Sequence, residues 1–182
     1  MTGVVRVALA LGCCLVAAPA WAQSTSDAAT DPAAWLKAYL GGAACVVYDA
    51  GPTPFRLEHV IENTEVQFDG CRMVLQQATT IGNRSELRTF RIPLGALDTS
   101  SVTSREGFFL PEGWISRGDV PTHTITITAP DRQKVIEDRY ERFDDTAPQD
   151  DRTDVVTVPV RHAEIAAQIV LALTKAIERC RP

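Results

Sequence analysis

Hydrophobic and polar positions follow two rhythms along this chain. Over residues 43–158 they alternate with a period of two, in short runs broken by turn residues. Over residues 161–180 the period lengthens to that of an α-helix. On helical spacing Ala163, Ala166, Ala167, Val170, Leu173, Ile177 and Cys180 share one face, which Ile165, Ile169, Ala172 and Ala176 widen. Glu164, Gln168, Lys175 and Arg179 form the opposite, wet stripe. About 20 residues at ~1.5 Å each make a rod of roughly 30 Å, the width of a small domain. Leu171 falls among the polar positions and is therefore a candidate contact surface.

A short helix precedes the strands. Asp31 suits its N-cap, Pro32 its first helical position, and Trp35, Leu36, Tyr39 and Leu40 its apolar stripe, with Gly41-Gly42 as the stop. Strands are expected at 43–48, 55–61, 64–68, 71–80, 87–92, 102–105, 108–110, 114–116, 122–128 and 153–158. Asp69-Gly70 marks a hairpin turn, and Gly82-Asn83 a second. Thr122 to Thr128 alternates strictly, placing His123, Ile125 and Ile127 on one face. Between Asp131 and Asp154 lie nine acidic and five basic residues. The middle of this segment, 134–143, suits a strand or hairpin arm, while 144–154 reads as a mobile loop. Some seven strands in regular succession and one long helix predict an α+β fold. Its form is a curled antiparallel sheet or small sandwich of about seven strands, capped by the C-terminal helix, with a short N-terminal helix.

Composition adds a compartment. Residues 1–22 carry Arg6, an apolar run and Ala20-Trp21-Ala22, the pattern of a cleaved secretory signal, and the run is too short to span a bilayer. Residues 23–30 then form a flexible lead, and 31–182 a single globular domain. A periplasmic or secreted location follows, with no stable membrane insertion after cleavage. The net charge of −5, made one unit more negative by loss of Arg6, argues against nucleic acid as a partner. Cys13 and Cys14 leave with the signal. Of the remaining Cys45, Cys71 and Cys180, the last lies on the apolar helix face and Cys71 shares strand parity with Met73 and Leu75. Cys71–Cys180 is the favoured disulfide, with Cys45 as the alternative partner.

The stretches Asp69 to Leu75 (DGCRMVL), Arg91 to Val102 (RIPLGALDTSSV) and the terminal helix ending in Cys180 resemble secreted bacterial domains of unknown function. The pattern of small strands closed by a C-terminal amphipathic helix is similar to the pleckstrin-homology-like superfold. The resemblance implies a fold and no activity. Phosphoinositide binding in that superfold uses a basic loop patch on a cytosolic face, which this acidic, exported chain does not offer.

Candidate chemistry is sparse. The sequence contains no nucleophile elbow, phosphate-binding loop, zinc-protease helix or calcium loop. His59, His123 and His162 are the imidazoles that could bind metal or move a proton, yet none stands at ligand spacing to another. Ser100 or Ser101 with His123 and Asp98 or Asp119 would be needed for a serine hydrolase, and spacing supports no such triad. Asp144-Asp145 and Asp150-Asp151 lack the glycine turn of a calcium loop. No cofactor and no metal are expected. The expectation is an exported, non-enzymatic module binding a protein, peptide or envelope component. The alternative is a small periplasmic hydrolase or metal-dependent enzyme using His59, His123 or His162. A carrier of an apolar ligand inside the curled sheet is a third possibility.

Overall fold

The computed structural model describes residues 25–40, 45–50, 58–82, 84–107, 114–116, 123–142, 147–160 and 163–181. The predicted signal segment and the predicted strand at 108–110 lie outside them. Helices α1 (Thr25–Thr30) and α2 (Pro32–Tyr39) come first, then strands β1 (Cys45–Ala50), β2 (Glu58–Asp69), β3 (Arg72–Ile81), β4 (Arg84–Pro93), β5 (Val102–Glu106) and β6 (Trp114–Ser116). After these come β7 (His123–Thr128), β8 (Ile136–Arg142), β9 (Gln149–Thr153), β10 (Val155–Val160) and helix α3 (Ala163–Arg179).

Two antiparallel sheets form, not closed into a barrel: seven strands in the order β6-β1-β2-β3-β4-β8-β9, and three in the order β10-β7-β5. The α+β class and the capping helix are as the sequence predicts. Ten strands form among the described residues against the seven or so expected, and the charged segment supplies two of them, β8 and β9. Residues 149–153 are thus a strand rather than part of a mobile loop, paired with β8 from Ile136↔Thr153 to Tyr140↔Gln149. The lead is also corrected. Thr25–Thr30 is helical, and Ala28 is fully buried in the core.

Local chemistry accounts for the elements. Asp31 caps α2 by accepting from Ala34 N–H at 3.1 Å, with Pro32 in the first turn. Trp35 and Tyr39, one turn apart, stack with centroids 4.7 Å apart. In the β2–β3 hairpin Asp69 pairs with Arg72, so the turn residues are Gly70 and Cys71. Gly70 takes φ +55°, the left-handed conformation glycine supplies at the first position of such a turn.

The most abrupt passage from one sheet to the other among the described residues lies between β9 and β10. Between β9 and β10 only Asp154 intervenes, and its carbonyl accepts from Ala129 N–H at 2.7 Å. Arg132 pairs with the Asp154 carboxylate at 3.3 Å, next to a turn in which Asp131 and Arg132 both adopt positive φ. Bends of this kind let one strand serve two sheets. A second link lies in the interior. Gln77 Nε2 donates to Asn63 Oδ1 (2.9 Å) and to the Thr157 carbonyl of β10 (3.1 Å), joining the sheets beside a bulge in β2. The Gln77 amide holds register at this position, since a shift would leave its donors without partners.

Both sheets and all three helices contribute to one core, including Met73, Leu75, Phe90, Ile92, Ile125, Ile127 and Ile136. Helix α3 lies against β5, β7 and β10 and against α1 and α2. Its buried residues are Ile165, Ala166, Ile169, Ala172, Leu173, Ala176 and Ile177. The face is therefore rotated from the expected one. Ala163 and Ala167 are exposed and Val170 is half-buried, while Ile165, Ile169, Ala172 and Ala176 lie at the centre. Two sets of small and branched residues compete for the core in this helix, and the bulkier isoleucines win because they remove more apolar area from water.

Candidate functional site

The sequence-predicted candidates are scattered. His59 sits on β2, paired through the backbone with Tyr48 and Ile81. His123 is half-buried at the start of β7 in the other sheet, opposite Val160 and Glu106. His162 lies outside the described residues. Among the described residues no three His, Cys, Asp or Glu side chains gather as a metal site. Ser101 is buried, and its Oγ accepts from Asp98 N–H at 3.0 Å, so the hydroxyl closes a turn. Leu171 is half-buried on α3. Cys45 belongs to β1, opposite Glu62.

Cys71 and Cys180 stand at disulfide distance, with Cα atoms 5.5 Å apart across 109 positions of sequence. Cys71 is exposed in the hairpin turn rather than turned inward with Met73, and Cys180 is half-buried at the end of α3. The neighbours of Cys180 are fastened too. Arg179 donates to the Thr30 carbonyl at 2.7 Å, where α1 ends, and Arg181 pairs with Asp98. Gly95 lies so close below that a Cβ there would come within 3.1 Å of the Cys180 carbonyl. Three successive residues thus anchor α3 to a helix, a hairpin and a turn. This corner holds structure.

The exposed chemistry lies elsewhere, on β4, β8 and β9. An open cleft of about 620 Å³ is lined by arginines 91, 139 and 152 together with Glu137, Asp138, Asp150 and Asp151. Pairing sets the rows. Arg91, Glu137 and Arg152 stand side by side across the three strands, as do Thr89, Arg139 and Asp150. On the other face Phe90, Asp138 and Asp151 form a row. Arg88 reaches diagonally to the buried Asp138, with Nε 3.2 Å from Oδ1, and its guanidinium lies 5.0 Å from the Phe90 ring centre.

Ion pairs hold the remaining charges loosely. Arg91–Glu137 spans 3.8 Å and Arg139–Asp150 3.6 Å, whereas Arg139 Nε donates to Glu141 at 2.6 Å. The hydrogen bond that Arg139 donates to Glu141, and then the charge of Asp150, raise the Arg139 pKa above its ordinary value. Arg152 and Asp151 have no ion-pair partner among the described residues, although Arg152 N–H donates to Asp151 Oδ1 at 2.7 Å. The sequence offers Asp151 only as part of a carboxylate pair without a calcium turn and does not point to Arg152, because a charged segment reads as a solvated loop until its strand register is known.

Comparison of the chain with protein-family models, with characterised proteins and with solved structures finds no match.

Proposed function

We propose that this is an exported, non-enzymatic module that binds a protein or peptide through the charged cleft on β4, β8 and β9. The observation that carries the reading is an open cleft lined by residues of both signs from the two faces of β8 and β9, with Arg152 and Asp151 lacking ion-pair partners among the described residues. Such groups are costly to desolvate, which offsets much of the attraction to a complementary partner, so they give specificity and orientation rather than bulk affinity. The secretory pattern at residues 1–22 supports an envelope or extracellular setting, where the partner would be met.

Site-directed photo-crosslinking in the native envelope tests this. A photoreactive residue at Gln149, beside the cleft, should trap a discrete partner, and one at Lys37 on α2 should not. Charge reversal of Arg152 should abolish the adduct. Equal trapping from both positions, or none from either, would remove the reading.

A further inference from the structure

β9 ends the seven-stranded sheet, and among the described residues no strand or helix lies along its free side. Gln149, Asp150, Asp151 and Arg152 are all exposed. An uncovered edge presents backbone donors and acceptors to any chain of suitable pattern. The pattern here is written by the three rows that run out to the edge. Arg91–Glu137–Arg152 alternates plus, minus, plus and calls for an acid beyond it. Phe90–Asp138–Asp151 ends on a carboxylate without an ion-pair partner among the described residues, behind which Asp138 already holds Arg88. That row calls for a base. Thr89–Arg139–Asp150 ends on a carboxylate held only at 3.6 Å, and also calls for a base.

Resting on the binding-module reading, we propose that β9 is the docking edge for an extended segment of another protein. The segment adds antiparallel as an eighth strand, carrying acid, base and base opposite Arg152, Asp151 and Asp150. Directly opposed side chains in such a pair stand ~5 Å apart, close enough for sign to decide the register. The Asp151 carboxylate now accepts from Arg152 N–H at 2.7 Å. Docking exchanges this contact, since the carboxylate turns to the incoming base. A second copy of this chain is the poorer occupant. A twofold pairing about Asp151 would match Asp150 with Arg152 twice but set Asp151 against Asp151, and like charges directly opposed destabilise a sheet.

The test is amide-shift titration of the isotope-labelled protein with nine-residue peptides. One has Glu-Lys-Lys at its centre, and a control of identical composition has Lys-Glu-Lys. The expected result is binding about tenfold tighter for the first, from two sign changes of under 1 kcal/mol each. Shifts should centre on residues 149–153. Arg152→Glu, an exposed change that leaves the core intact, should reverse the preference toward Lys-Lys-Lys. Equal affinities, shifts centred elsewhere, or a concentration-dependent dimer without peptide would each overturn the proposal. If the Gln149 crosslink forms while the peptides fail, this inference falls and the binding module stands. If both fail, both fall.

Discussion

The end of α3 and the β8–β9 arm carry similar chemical groups and use them in opposite ways. At the helix end Arg179, Cys180 and Arg181 each contact a different element, so their order is fixed by contacts far apart in sequence. In the arm the arginines contact mainly their neighbours on adjacent strands, and most of those pairs are open to solvent. At the corner the Cys71–Cys180 bond locks geometry, and the solvent-open Arg181–Asp98 pair only accompanies it. Charge in the arm specifies a surface, because exposed pairs stabilise little and are screened by salt.

The largest effect should come from cutting the corner. Replacing Cys71 and Cys180 together by serine opens a loop of 109 positions and should lower stability by about 2–5 kcal/mol, read from urea midpoints. Leu173→Ala, at a side chain that is 1 % exposed, should cost a similar ~2–5 kcal/mol in the same assay. If either change is nearly neutral, the helix end is not the anchor described.

In the arm, Asp138→Ala removes the buried half of a pair whose arginine is half exposed. Screening of Arg88 limits the expected loss to about 1–2 kcal/mol by the same unfolding measurement. A cost matching the disulfide's would erase the contrast between the two regions. Smaller again, Arg179→Gln removes a cation from the end of α1 and should cost about 0.3–1 kcal/mol, with faster amide exchange in α1 and unchanged exchange in β8. The smallest change is Ala167→Lys on the exposed side of α3, expected within about 0.5 kcal/mol, whereas the same substitution at fully buried Ala172 should prevent folding. Equal tolerance at the two alanines would return the helix to the rotation its spacing alone suggests.

How far the chain could be read without coordinates differs by element. The capped α2, the hairpin at Gly70 and the long α3 follow from local signals: a capping aspartate, a turn glycine, a helical period. The binding surface does not, because Arg152 and Asp151 acquire neighbours only through pairing with β8. Even inside α3, periodicity finds an apolar band without choosing its centre. Ala167 and Ala172 look alike in sequence, and one is exposed while the other is fully buried.

By itself the sequence determined the α+β class, the helix that closes the chain and the pairing of Cys71 with Cys180 as the favoured one. Only the tertiary structure decided that the acidic segment is a sheet edge, that strands change sheets at Asp154, and that Gln77 joins β3 to β10. The reason is physical. Capping, turns and periodicity act within a few residues, where sequence neighbours are spatial neighbours. Strand order, register and buried amide pairing depend on which distant segments meet, and that choice is made by the core as a whole.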